Sequence, residues 1–257
     1  MSALVTAELR KVLTLRFWWA LAIAPVVVAL FAASIYAAMA DGLASSFDSD
    51  LSTGAVSVGL VVAIAWAVLF AGIFGAVNAG TEFRHRTLTP TFVTTRGRDR
   101  VLAAKLAVTA LVGLGYAVAV ELVAVACMAV FGGDRFAVTP AILAMVAAGA
   151  VATVAWSLIG AGLGLLFASP TAAAITLLAW YPVGELVTAA VLSGVGAGGI
   201  GRWLPGAVTW STVVTPAAEG TVLAGFAPWP GAASMLLVWT AVAVALGWWS
   251  TRSRDIT

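Results

Sequence analysis

Two acidic residues, Glu121 and Glu185, lie within long runs of apolar residues. A carboxylate in hydrocarbon is costly and tends to face a bundle interior or a water-filled cavity, where it marks a proton or substrate route. No Lys or Arg lies at a matching depth, so the sequence offers neither acid an internal ion pair. Two interpretations stay open for each residue. In the first, the acid contacts a transported species. In the second, the acid has a structural role, and it either stays protonated or forms a hydrogen bond with Tyr, Ser or Thr of a neighbouring helix.

A helix-breaking segment, Tyr181-Pro182-Val183-Gly184, stands directly before Glu185. Proline removes a backbone hydrogen bond from a helix, so Pro182 predicts a break inside an apolar run. A broken helix beside a buried acid is a suitable place for a gate. The candidate residues of a substrate path or gate are therefore Glu121, Tyr181, Pro182 and Glu185.

A basic stretch, 80–105, holds six of the thirteen Lys and Arg residues and the only histidine, and it lies between two apolar runs. Such a segment must lie in water, and its positive charge predicts the cytoplasmic side. Thr89-Pro90 favours a short helix from Pro90 to Thr95, which Gly97 would end. The positive-inside rule by itself would explain the charge. It does not explain the short helix, or the mixture of Glu82 with aromatic anchors, which favours docking onto another protein.

The residue types that catalysis or metal binding requires are scarce. No phosphate-binding loop of the Gly-x-x-x-x-Gly-Lys-Ser/Thr type is present, so the chain does not bind ATP in that way. One histidine and one cysteine exclude paired-His metal sites and disfavour a thiol protease. Cys127 also excludes an internal disulfide, and it reads as a buried structural thiol. We therefore predict no enzyme activity, no metal and no cofactor held by this chain.

The composition predicts an integral membrane protein. Of 257 residues, 62% are hydrophobic and 9% are charged, whereas soluble domains carry about 25% charged residues. The cations cluster in loops on one side, which does not indicate nucleic-acid binding. The predicted fold class is an all-α integral membrane protein.

The apolar runs predict one transmembrane domain with six spans, at 17–40, 54–79, 101–131, 140–168, 172–194 and 231–249. Residues 1–16 read as an amphipathic helix on the cytoplasmic surface, 80–100 as a cytoplasmic coupling loop, and 195–228 as an extracellular region of re-entrant or interfacial helices. Asp99 is expected to cap the third span. Ala38-Met39-Ala40 resembles a signal-peptidase site, but the preceding apolar run exceeds the roughly 7–15 residues of a signal core, which favours a retained helix.

The distribution of Lys and Arg predicts the orientation. With this layout, eleven of the thirteen fall in segments assigned to one side, and only Arg135 and Arg202 fall on the other. The positive-inside rule then places both termini in the cytoplasm.

At this point the chain resembles a known family, the membrane subunits of ATP-binding-cassette exporters of the second type, in their actinobacterial form. The resemblance covers six spans, the amphipathic helix before the first, the first cytoplasmic loop and the re-entrant region before the sixth. Its local motifs are Trp203-Leu204-Pro205 after Arg202, Arg96-Gly97-Arg98 with Lys105, and Gly80-Thr81-Glu82-Phe83-Arg84-His85-Arg86-Thr87.

The resemblance implies a permease subunit without an ATPase site of its own, in the plasma membrane. Its implied partners are two copies of an ABC-type ATPase, which would carry ATP and Mg, a second permease copy or homologue, and membrane lipids. The implied ATPase-coupling residues are Glu82, Phe83, Arg84, His85, Arg86, Thr87, Pro90, Phe92, Arg96 and Arg98. The scarcity of intramembrane cations suggests an amphipathic or lipid-like cargo, such as a drug in multidrug efflux, a peptide antibiotic or a lipid.

Other functions stay open. A proton-coupled secondary transporter would use Glu121 or Glu185 as the proton carrier, although no inverted repeat is visible. A non-transporting immunity or anchor protein would only bind a partner. An integral membrane enzyme fits least, for want of catalytic residues.

Overall fold

The computed structural model describes residues 2–39, 52–84, 97–217 and 225–254. In these ranges the regular structure is helical, and no strand occurs. Ten α-helices follow one another, with 3₁₀ turns at Gly133–Arg135 and Thr215–Ala217 and a π turn at Trp180–Gly184. They are α1 Ser2–Thr14, α2 Phe17–Ala38, α3 Ser52–Arg84, α4 Arg98–Gly132, α5 Pro140–Phe167, α6 Pro170–Ala179, α7 Glu185–Gly194, α8 Gly198–Gly201, α9 Pro205–Val214 and α10 Gly231–Ser253.

Six of the described segments are long and apolar enough to cross a membrane: α2, α3, α4, α5, the continuous stretch Pro170–Gly194, and α10. The predicted all-α membrane fold is confirmed. The helix starts follow ordinary rules: Thr139 and Ser169 accept a hydrogen bond from the backbone N–H three residues on, and proline follows each of them.

The end of α3 and the start of α4 differ from the sequence prediction. α3 continues to Arg84 rather than ending near 79, because Gly80 packs against the backbone of Pro170 and Glu82 is buried. α4 begins after Gly97, whose φ of +109° favours glycine. Asp99 is therefore not the cap that the sequence predicted. Its carboxylate lies in the first turn and accepts a hydrogen bond from the indole of Trp248.

The predicted break in the fifth span is a π turn, Trp180–Gly184, between α6 and α7. Pro182 has no N–H to give to the helical ladder, and a locally wider turn accommodates the missing bond. The chain continues as one candidate span from Pro170 to Gly194. The helix is thus interrupted in its hydrogen bonding without being divided into separate spans.

The packing centre of the bundle is the contact between α3 and α5. In each of these two helices, 56% of the apolar 18-residue stretch is buried. Glycines make the approach possible, since a Cβ on Gly75 would overlap the Ser157 carbonyl and a Cβ on Gly160 would overlap the Gly72 carbonyl. Small residues allow backbones to meet in this way in membranes. The other spans surround this pair, with α2 on α3 and α10 on α5.

Candidate functional site: an ion-pair cluster and a capped inner helix

Four charged side chains from three helices meet at one end of the bundle, where α3 ends and α4 begins. Lys105 Nζ of α4 lies 2.8 Å from Glu8 Oε2 of α1 and 2.9 Å from Glu82 Oε1 of α3. Lys11 Nζ lies 2.5 Å from Glu8 Oε1 and 3.2 Å from Glu82 Oε1. We call these four residues the ion-pair cluster, and this end of the bundle the ion-pair end. Two cations balance two anions, so the cluster has no net charge.

The ion-pair cluster is buried apart from one member. Lys105 is 2% exposed, Glu8 5% and Glu82 8%, whereas the side chain of Lys11 is 45% exposed. Removing one partner from a buried pair leaves an uncompensated charge in a medium of low dielectric constant. The cluster therefore couples α1 and the last turn of α3 to α4, and none of the three can move apart without exposing or stranding a charge.

The two members of the ion-pair cluster on α1, Glu8 and Lys11, have pKa values displaced in the direction of their charged forms. Burial is the largest influence on Glu8 and would raise its pKa, but Lys105 and Lys11 together outweigh it and hold the pKa below 4.5. Burial would likewise lower the pKa of Lys11, and the carboxylates of Glu8 and Glu82 outweigh it and raise the pKa above 10.5. The ion pairs thus stabilise the charged state of each residue.

The structure places the predicted coupling residues differently from one another. Glu82 points inward to Lys105 and is buried, and its contact with an ATPase stays a prediction. Arg84 and Arg98 are exposed, and Phe83 is half-buried with the guanidinium of Arg254 6.0 Å from its ring centroid. Six further predicted coupling residues lie outside the described residues: His85, Arg86, Thr87, Pro90, Phe92 and Arg96.

Sequence reasoning missed the roles of Glu8 and Lys105. Glu8 belongs to the helix predicted to be amphipathic, and it lies one turn from the buried Val12 and shares its face. Lys105 sits seven residues inside α4, among apolar neighbours. A lysine and a glutamate so placed, each inside an apolar surface, were the available signal that they require partners.

Glu185 binds the start of α9. The amides of Gly206, at 2.6 Å, and Ala207 donate to its two carboxylate oxygens. These are N–H groups of the first turn, which have no partner within a helix, and the positive end of the helix dipole favours an anion there. The structural interpretation of Glu185 thus takes a form not foreseen: its partners are backbone amides rather than Tyr, Ser or Thr.

α9 is inserted among the spans by further hydrogen bonds. Trp156 Nε1 donates to Thr209 Oγ1 at 2.8 Å, and Ala227 N–H donates to Ser211 Oγ at 3.0 Å. Trp156 is the seventeenth residue of α5, about 24 Å along that helix at 1.5 Å per residue. Tyr181 packs edge-on against Trp156, with the ring centroids 5.1 Å apart. Tyr181 and Glu185 therefore meet α9 and its Trp156 anchor, whereas Pro182 is exposed on the π turn.

Glu121 occupies a different place. It is 3% exposed, and it lies on α4 beside Gly149 of α5. The structure brings three of the four predicted gate residues to one region of the fifth span and leaves Glu121 on another helix pair.

No group of three or more His, Cys, Asp or Glu side chains is placed to hold a metal ion among the residues that the structure describes. No protein-family model and no curated protein sequence matches this chain.

Proposed function

We propose that this chain is the permease subunit of an ATP-driven exporter for an amphipathic or lipid-like cargo, working with separate ATPase subunits in the plasma membrane. The observation that carries the proposal is the ion-pair cluster. It joins the segment expected to dock on an ATPase, through Glu82, to Lys105 of α4 and to Glu8 of the amphipathic helix α1. A displacement applied to this segment would pass to two spans together.

The mechanical parts suit alternating access by small rigid shifts of packed helices. α1, α3 and α4 would move as one unit through the ion-pair cluster. The irregular part is elsewhere, at the π turn Trp180–Gly184, whose neighbour Glu185 holds the inner end of α9. We infer that cargo passes this region and that release of α9 opens it. π turns are frequent at functional sites, which agrees with this assignment.

A second permease subunit is part of the proposal. Only 6% of the apolar 18-residue stretch of the span Pro170–Gly194 is buried, compared with 22% of the corresponding stretches of α2 and α10. None of the residues of α7 is buried. Six helices rarely enclose a wide route, so we place a second copy or a homologue against this span, with the cargo path between the two.

The first experiment is purification of the tagged chain from its native host in mild detergent, followed by mass spectrometry of the proteins that accompany it. We expect an ATPase with a phosphate-binding loop. Phe83→Ala and Arg84→Glu change the docking surface without removing a member of the ion-pair cluster, so they should lose the ATPase while the bundle stays folded. Arg202→Ala is the matched control, since Arg202 is also exposed but lies next to α8.

Two results would contradict the proposal. One is that no ATPase accompanies the chain under any gentle condition. The other is that, once the complex is reconstituted in lipid, only small hydrophilic sugars stimulate its ATP hydrolysis. An amphipathic drug, a peptide antibiotic or a lipid should stimulate it, because the apolar span surfaces offer few charges to a polar cargo.

A further inference from the structure

Glu121 is a buried carboxyl with an unsatisfied oxygen. Its Oε1 has no hydrogen-bonding partner among the described residues, and the residue is 3% exposed. It lies against Gly149, where any side chain would overlap Oε1 and also meet the Ile64 side chain. The absence of a side chain at Gly149 makes the space that the carboxyl occupies. An ionised carboxylate without a partner is not stable in such a place, so it must bind something that neutralises it.

A second unsatisfied group lies close by, the Thr153 hydroxyl. Thr109, Thr209 and Thr240 donate to the carbonyl four residues earlier in their own helices. Thr153 Oγ1 is fully buried and has no partner in the described part of the chain.

The register of two antiparallel helices places this hydroxyl near Glu121. Gly113 of α4 meets Ser157 of α5, and Glu121 meets Gly149. Residues midway between these contacts are Ala117 and Thr153, so Thr153 lies one turn from Glu121 along the α4–α5 contact. A protonated carboxyl and a hydroxyl can satisfy one another, whereas an ionised carboxylate would still lack a cation.

From Glu121, further buried polar side chains occur only toward the ion-pair end of α4. Every fourth residue of α4 from 105 to 121 is buried. Lys105, Thr109 and Glu121 in this row have polar side chains, whereas Gly113 and Ala117 have none and lie beside Ser157 and Thr153 of α5. Thr109 in this row accepts a hydrogen bond from Asn78, at 3.0 Å, and its carbonyl accepts one from Ser157 at 3.4 Å. Beyond Glu121, α4 continues with apolar side chains and Cys127 to its end. We call the row with its partners the polar row.

No fixed charge faces Glu121 from the helices packed around it. α5 and α2 contain no Asp, Glu, Lys or Arg, and the charged residues of α3, Glu82 and Arg84, are at its ion-pair end. On α4 the nearest charged residue is Lys105, about 24 Å away at 1.5 Å per residue. The other titratable neighbours on α4 are Cys127 and Tyr116, and the Tyr116 hydroxyl donates to the Trp18 carbonyl.

We propose that Glu121 binds a proton within the membrane-spanning bundle, that the Thr153 hydroxyl, which has no partner in the described structure, turns to the carboxyl when the proton is bound, and that the polar row connects this site to the ion-pair end. Protonation converts the carboxylate to a neutral acid without breaking any other bond. The proton site is independent of the proposed ATPase, since neither Glu121 nor Thr153 belongs to the coupling loop 80–100.

The test is infrared difference spectroscopy of the full chain in lipid, on exchange from H₂O to D₂O at neutral pH. A protonated carboxyl gives a C=O stretching band that shifts on deuteration. We expect this band in the native protein and in Glu185→Gln, because the Glu121 carboxyl is present in both, and its loss in Glu121→Gln. Thr153→Val retains the carboxyl and should displace the band to higher frequency, which keeps the test decisive even if Glu121→Gln folds poorly.

The route is tested by the rate of the same deuteration. Thr109→Val and Ser157→Ala should slow the shift several-fold, whereas Met128→Leu, between Glu121 and the opposite end of α4, should leave the rate unchanged. The proposal is overturned if the band is absent or persists in Glu121→Gln, if Thr153→Val leaves it in place, or if Met128→Leu slows exchange and Thr109→Val does not. A band that Na⁺ removes at constant pH would also overturn it, in favour of a metal-cation site.

Discussion

At the scale of single residues, Lys105 has the strongest claim to importance. It is the most buried charge in the described chain, and its ammonium group lies between carboxylates that come from α1 and α3. Without it, Glu8 and Glu82 would keep only the half-exposed ammonium of Lys11 between them. Their repulsion would act on the joint between the amphipathic helix and two spans.

Lys105→Ala should lower the free energy of unfolding by about 3–5 kcal/mol, the usual cost of breaking a buried pair. Thermal unfolding in detergent measures this, and the loss should fall markedly when Glu8→Gln is added, because the second change removes one stranded charge. Lys11→Ala is the matched control, since its half-exposed ammonium should contribute about 0–1 kcal/mol. Equal losses for the two lysines would contradict this account.

The pH dependence of stability follows from the displaced pKa values. The lowered pKa of Glu8 contributes stability that is present above the unfolded value of 4.5 and is lost as pH falls through the folded pKa. The raised pKa of Lys11 contributes stability that is present below 10.5 and is lost as pH rises through the folded pKa. The melting temperature should therefore be nearly level between these limits and fall on both sides. Glu8→Gln should reduce the acid-side fall, and an unchanged acid limb would count against the assignment.

At the scale of elements, α9 is notable because its amino end lies inside the bundle and is bound there by a carboxylate of another helix. A helix end surrounded by apolar side chains needs partners for its free amides. Glu185 supplies them, and Trp156 holds the helix one turn further along. The irregular fifth span and the inserted helix thus form one structural unit.

Glu185→Gln should loosen this unit. Hydrogen bonds to a charged group contribute about 1.5–3 kcal/mol, which corresponds to roughly tenfold or more in local opening. Hydrogen–deuterium exchange of the peptide containing residues 205–214 should accelerate accordingly. Thr188→Val is the control one turn away, because the Thr188 hydroxyl binds only the Gly184 carbonyl of its own helix. Equal exchange in both variants would show that Glu185 does not hold α9.

The contact between α3 and α5 gives a second prediction at this scale. Gly160→Ala places a methyl group into the Gly72 carbonyl, so the helices must separate, and overpacking of this kind costs about 1–3 kcal/mol. Gly115→Ala on α4 is the control, since a Cβ there meets nothing within 4 Å and alanine favours the helix. Thermal unfolding should show a loss for Gly160→Ala and none for Gly115→Ala. Equal effects at the two sites would mean that backbone propensity, not packing, governs both.

At the scale of the whole molecule, the spans are unevenly covered. In α3 and α5, 56% of the apolar 18-residue stretch is buried by other parts of the protein. In the span Pro170–Gly194 the buried share is 6%. Its exposed residues include Leu186 at 71% and Val191 at 59%. In a dimer this is the span with most surface to offer a partner.

A cysteine at position 186 should therefore form a disulfide-linked dimer under mild oxidation in native membranes. The native Cys127 is 7% exposed and should not interfere. A cysteine at Leu122 of α4 is the matched control. That residue is similarly exposed, at 65%, but 39% of the apolar 18-residue stretch of its span is buried. Cross-linking at 122 and not at 186 would place the second copy against a different face.

The sequence by itself determined the class of the molecule. Apolar runs of twenty or more residues cannot be covered by 9% of charged residues in water, so membrane helices were the remaining solution. Local chemistry also marked individual points: the fourth span begins at Pro140, after Thr139, and Pro182 disturbs the fifth span. These signals depend on a few adjacent residues, and for that reason one sequence is enough to read them.

Only the tertiary structure decided which charges and amides meet. Glu8 and Lys105 are 97 residues apart and form one ion pair, and Glu185 binds amides 21 and 22 residues away on another helix. No periodicity records such partners, because they depend on how the helices are rotated and staggered against one another. The same packing buries Glu82, a residue of the predicted docking surface, against Lys105. It also placed the Glu121 carboxyl against Gly149 of α5, a contact that no local pattern predicts.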